Sequence, residues 1–134
     1  GEVAVPMDIL CKATKLTHIE SILLKEHPQN AYKILKDIEF PWHVADIILQ
    51  HHERLDGSGY PSGLSGNSIL IEAKIIAVAD TMESMISDRP YRYAMRIDNA
   101  IKEIIREKGN LLDTDAVDAC IRLFKDKGYE LPNP

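Results

Sequence analysis

His27, His51, His52 and Asp80 are side chains of the types that bind transition metals, and they fall on three helical segments. Mixed imidazole and carboxylate donors suit iron, manganese or zinc without choosing among them. Adjacent helical residues are rotated by roughly 100°. His51 continues the inward face of Val44, Ile47 and Ile48, and His52 is expected to turn away from it. Two imidazoles splayed in this way would serve two neighbouring ions, or one ion and one substrate group. The plainer alternative is a surface pair that stabilises a helix C-terminus through its dipole. Asp80 lies among Val78, Ala79 and Met82 in the most apolar helix. A carboxylate buried there is costly unless it is paired, hydrogen-bonded or metal-bound, and the alternative to a ligand is an ion pair with Lys or Arg. His27 precedes Pro28 at a corner between helices, where a capping or core histidine is the alternative. His18 and His43 sit at helix starts beside polar neighbours and read as surface residues.

Directly after the histidines comes a glycine-rich loop, and His51 to Pro61 reads HHERLDGSGYP. Gly57 and Gly59 permit backbone angles that other residues resist, and Pro61 stiffens the exit. Without a Gly-Lys-Ser/Thr run or a preceding strand it is not a Walker-type phosphate cradle. Further on, Arg89 and Arg92 flank a proline turn, a spacing that could grip phosphate oxygens in a bidentate way. A cation pair on a solvated face is the equal alternative.

The elements that must carry these residues read as helices throughout. Thr17 to Glu20 has the capping-box pattern. Ile19, Ile22 and Leu23 then form a stripe ending near His27. Pro28 suits the first turn of a second helix with Ala31, Ile34, Leu35 and Ile38, and Pro41 is expected to open a third that runs to His51-His52. The segment from Ile69 to Ser87 is apolar almost all round and is expected to be the buried centre. Two amphipathic helices follow, Ile97 to Lys108 closed by Gly109 and Thr114 to Lys127 closed by Gly128. The residues before the first helix read as loop. With no alternating strand and no repeat, the pattern predicts a single all-α domain.

The chain has 134 residues, 45% of them hydrophobic, enough to bury one core without a disulfide or metal staple. Cys11 and Cys120 lie outside any zinc-finger or paired-cysteine spacing. Sixteen basic against twenty-one acidic residues argue against a nucleic-acid polymer as partner. Lys or Glu interrupts every apolar run short of a membrane span, and no signal peptide is visible, so a cytoplasmic address is the expectation.

HHERLDGSGYP resembles the HHExxDGxGYP signature of HD-GYP domains. The resemblance extends over Val5-Pro6 to Leu10, Lys15-Leu16-Thr17, His27-Pro28, Ala77 to Asp80 and Ser87 to Arg92, and weakens after about Ile97. It implies a helical bundle of the HD-domain type. It also implies a bacterial signalling hydrolase that cleaves cyclic di-GMP to a linear dinucleotide, GMP or both, using two or three divalent metal ions. Iron or manganese come first among these ions, with zinc, nickel or magnesium as substitutes. By position, His27, His51, His52 and Asp80 resemble the metal ligands, and His51, His52 and Asp80 the catalytic centre. Arg89 and Arg92 resemble the residues that hold substrate phosphate, beside Gly59, Tyr60 and Pro61, whose loop resembles one linked to GGDEF-domain partners.

The family's His-Asp pair should lie immediately before Gly1, which is expected to make residues 1–134 the C-terminal major part of one HD-GYP domain. A regulatory input domain is expected further upstream. Glu2 stands where a lysine near the substrate phosphate is usual, and Asp80-Thr81-Met82-Glu83 departs from the ADxxD block. The chain alone is therefore expected to have an incomplete metal site and little or no activity. The alternative is a degenerate, non-catalytic module that binds nucleotide or a GGDEF-domain partner.

Overall fold

The computed structural model describes residues 1–88 and 93–129. These form seven α-helices: α1 (Met7–Leu10), α2 (His18–Leu24), α3 (His27–Leu35), α4 (Val44–Gln50), α5 (Ile71–Ile86), α6 (Ile97–Glu107) and α7 (Thr114–Lys125). Short 3-10 turns occupy Glu2–Ala4 and Gly66–Ser68. Among the described residues there is no strand, only the isolated bridges Asp56–Ser65 and Lys108–Leu112. The expected all-α architecture is thus observed.

Local chemistry accounts for most boundaries. Thr17 Oγ1 accepts the Glu20 N–H at 3.3 Å and Glu20 Oε2 accepts the Thr17 N–H at 2.7 Å, a complete capping box. Gly109 and Gly128 take the left-handed angles expected after α6 and α7, with φ of +76° and +62°. Other limits differ from the sequence reading. The N-terminal residues read as loop contain a 3-10 turn and α1. Helix α3 ends at Leu35, so Ile38 lies beyond it and is half exposed. Helix α4 starts at Val44 rather than Pro41 and stops at Gln50, before the histidine pair.

The core lies among α5, α6 and α7, where Val78, Met82, Ala100, Ile104, Leu112 and Val117 are each at most 2% exposed. Helix α5 is not covered all round, as its composition suggested. Ile71 and Ile75 are each 52% exposed. With Ala116, Ala119 and Leu123 of α7 they line an apolar groove of about 590 Å³. An almost uniformly apolar helix carries no signal for which side its neighbours cover. On its other side α5 meets α4, which packs on α3. Gln50 Oε1 accepts the Leu70 N–H at 2.8 Å and ties the end of α4 to the start of α5. No helix among the described residues is long and apolar enough to cross a membrane.

The capping box gives a pH test. The Lys12 ammonium, then the Thr17 N–H and hydroxyl, hold the Glu20 carboxyl at about 2 instead of 4.5. Its folded value lies below its unfolded one, so its contribution to stability is complete above pH 4.5 and is lost as pH falls towards about 2. Glu20→Gln is expected to flatten the stability profile in that window, as read by urea unfolding at stepped pH. An unchanged slope would contradict this role.

Candidate metal centre

The end of α2, the start of α3 and the end of α4 bring three imidazoles to one point. His27 Nε2 lies 3.3 Å from His51 Nε2 and 3.1 Å from His52 Nε2. Two of the rings are oriented by backbone. His27 Nδ1 is 2.8 Å from the Leu24 carbonyl oxygen and His51 Nδ1 is 2.5 Å from that of Ile48. A carbonyl can only accept, so each Nδ1 carries the proton and each Nε2 keeps its lone pair. This is the tautomer in which imidazole ligates through Nε2, oriented as ligating histidines usually are.

The expected splay of His51 and His52 is not found. Their ring centroids are 4.0 Å apart, tilted by 38°, and both Nε2 atoms face His27. Helix α4 stops at Gln50, but His51 keeps αR angles (φ −65°, ψ −16°), so the rings converge without a break in the backbone rotation at His51. The spacing has a chemical meaning. Two nitrogens bound to one ion at about 2.0–2.1 Å, at angles between octahedral and tetrahedral, lie roughly 2.8–3.4 Å apart. The observed separations fall in that range, so the donor set fits a single ion.

Burial pushes the His51 imidazole below its ordinary value, although its bond to Ile48 opposes the shift. Burial, then the neighbouring His51 and His27 rings, push His52 down to about 3. Neutral rings with converging lone pairs are the state a cation requires.

Asp80 stands on α5 at the edge of the same cavity, its Oδ2 3.9 Å from His52 Nδ1. That distance lies outside hydrogen-bond range, and Asp80 is not among the three residues whose donor atoms cluster. Its side chain is 39% exposed, which corrects the expectation of a buried carboxylate. The reason is that Asp80 lies on the side of α5 that borders an open cavity. No Lys or Arg pairs with it among the described residues. The cavity, about 700 Å³, is also lined by Glu2, Tyr60 and Ser84. His18 and His43 are on the surface as expected. Arg89 and Arg92 lie outside the described residues.

The glycine loop folds back over the end of α4. The Tyr60 N–H donates to the His52 carbonyl at 3.2 Å, and the Tyr60 ring stacks on His52 with centroids 4.7 Å apart at 26°. A Cβ on Gly59 would lie 2.5 Å from the Glu53 Cα, the Arg54 N and the His52 carbonyl oxygen, so only glycine fits this approach. Pro61 is partly buried beside Tyr60. Burial pushes the Tyr60 phenol up to about 12. Two further residues were not singled out in the sequence. Lys25 places its Nζ 5.2 Å from the Tyr60 ring centroid. Glu53, in the middle of the signature, is the only buried charged residue among those described. A carboxylate fixed between the histidines and the loop was the available signal.

Residues 1–116 match the family model for the HD domain. The chain belongs to the HD domain family. Over 91% of its length this HD domain is 43% identical to "Cyclic di-GMP phosphodiesterase response regulator RpfG" of Xanthomonas campestris. Over 94% it is 38% identical to a "Cyclic di-GMP phosphodiesterase" of Thermotoga maritima. It spans 33% and 35% of those proteins, about a third of each. Among solved structures, Bd1817 of Bdellovibrio bacteriovorus, described as an HDG"Y"P protein, shares the fold with a TM-score of 0.72 at 20% identity. The match covers 92% of this HD domain and 39% of that chain.

His27→Ala removes one of the three converging Nε2 donors. Mn(II) affinity, measured by equilibrium dialysis and metal analysis, is expected to fall by at least about 100-fold, the upper end of what losing an outer partner of a ligand costs. Unchanged binding would contradict the convergence.

Proposed function

We propose that this chain is the metal-bearing C-terminal major part of an HD-GYP phosphodiesterase domain that hydrolyses cyclic di-GMP to the linear dinucleotide, GMP or both. The observation that carries the reading is the convergence of three Nε2 atoms, with His27 Nε2 3.1 and 3.3 Å from the other two, in a cavity of dinucleotide scale. The names of the relatives supply the substrate. His27, His51 and His52 would hold a metal ion, with Asp80 at the cavity edge available to a neighbouring one. The proposed complement is two or three divalent ions, iron or manganese first. When bound, such ions supply Lewis acidity toward phosphoryl oxygens and lower the pKa of coordinated water.

The chain's own part is orientation and protonation. The Leu24 and Ile48 carbonyls hold protons on Nδ1 of His27 and His51. Burial keeps His51 and His52 neutral. Tyr60, with Gly59 and Pro61, walls the site above His52, and its raised pKa keeps the phenol protonated. Arg89 and Arg92 are proposed to grip the substrate phosphate, as the sequence motif suggests. A GGDEF-domain partner at the loop, an upstream input domain and a cytoplasmic address belong to the same proposal.

A second reading rests on Glu2. Glu2 is among the residues that line the cavity that would receive a phosphodiester, where like charge opposes binding. A degenerate module that binds nucleotide or a GGDEF-domain partner would tolerate this charge.

The test is chromatographic assay of cyclic di-GMP turnover by the full-length gene product with iron or manganese, beside Glu2→Lys and His51→Ala. Turnover that His51→Ala abolishes supports the phosphodiesterase. A wild type that binds the nucleotide without turnover, with at least about tenfold activity gained by Glu2→Lys (~1.4 kcal/mol), supports the degenerate module. A metal-free protein with no turnover in either form overturns the first reading.

A further inference from the structure

We propose that Glu53 is the positioning residue for His52: its buried carboxylate clamps the loop after the histidine pair so that Tyr60 lies on the His52 ring and holds Nε2 toward His27. Glu53 is 2% exposed. A carboxylate at that depth must find donors, and it finds them in backbone. Glu53 Oε1 accepts the Ser62 N–H at 2.7 Å and Oε2 accepts the Leu64 N–H at 2.9 Å. Each oxygen therefore fixes one peptide on the far side of Tyr60. On the near side, the Tyr60 N–H is held by the His52 carbonyl at 3.2 Å and Gly59 is pressed against the Glu53 Cα. Between these fixed points the Tyr60 side chain lies stacked on His52 at 4.7 Å.

His52 needs this support more than its neighbours do. His27 and His51 each have a backbone carbonyl on Nδ1, at 2.8 and 2.5 Å. The nearest partner of His52 Nδ1 is Asp80 at 3.9 Å, too far for a hydrogen bond. Apart from the 3.1 Å contact of its Nε2 with His27, its orientation therefore rests on the tilted His51 ring on one face and the stacked Tyr60 ring on the other. Glu53 touches no reacting atom and acts through Tyr60. The inference rests on the metal-centre reading only for its affinity readout.

Two measurements on the full chain separate positioning from bulk stability. In metal-free protein, the Tyr60 ring is expected to shift the His52 ring-proton resonances upfield, and Tyr60→Leu to abolish that shift. Glu53→Ala is expected to remove the shift to the same extent and to weaken Mn(II) binding by about 10–100-fold. Glu53→Gln keeps one carbonyl oxygen and is expected to recover part of both. A merely structural role would lower the melting temperature and leave the shift intact in the folded protein. A folded Glu53→Ala with wild-type shift and affinity overturns the proposal. Should Glu53→Ala fail to fold, Glu53→Gln decides: a reduced shift supports positioning and an unchanged one overturns it. A wild type that binds no Mn(II) while the shift still follows Glu53 overturns the metal-centre reading and leaves the positioning of His52 standing.

Discussion

Three imidazole Nε2 atoms directed at one another, with separations of 3.1 and 3.3 Å from His27 to the other two and lone pairs held open on His27 and His51, set the condition the rest of the structure has to meet. Lone pairs at that distance repel unless a proton or a cation sits among them. Burial and mutual proximity act against the second proton that would charge His51 or His52, and the single N–H of neutral His52 can sit on Nδ1 when a cation takes Nε2. What remains is an arrangement suited to a positive ion, provided the scaffold keeps the rings from turning apart.

Each part of the scaffold answers that requirement. The last turn of α2 offers the Leu24 carbonyl to His27, and α4 offers that of Ile48 to His51, so helix ends serve as ring clamps. Arg54 Nη1 donates to the Glu53 carbonyl at 2.9 Å and to that of His51 at 3.4 Å, covering acceptors left open where α4 stops. The packed core of α5, α6 and α7 lies away from the cavity and holds α5 in place, so Asp80 borders the histidines without being buried. Charge on the chain itself does not favour a phosphodiester: the net charge is −5 and Glu2 faces the cavity. In the proposed function, positive potential would come from metal ions and from cationic side chains such as Lys25, Arg89 and Arg92.

Features decided within a few residues were legible in the sequence. The Thr17–Glu20 box, the glycines after α6 and α7 and the surface placement of His18 and His43 depend on local hydrogen bonding and pattern. The helical class and the family followed from the periodicity and from HHERLDGSGYP. The mutual geometry of His51 and His52 did not, because it depends on where α4 stops and on a carboxylate that reaches amides nine and eleven residues downstream. Backbone rotation alone did not say where the two rings would end, since His51 keeps αR angles. Asp80 was misjudged for a related reason: an apolar helix does not announce which side stays open, and α5 leaves Ile71, Ile75 and the cavity edge uncovered.

The most direct measurement is an anomalous difference map from crystals of the manganese-loaded protein, collected at the metal's absorption edge. The expected result is a peak at bonding distance, about 2 Å, from Nε2 of all three of His27, His51 and His52, with the Leu24 and Ile48 carbonyl contacts retained. An absent peak, or one reached through Nδ1 with those contacts broken, would contradict the converging Nε2 site.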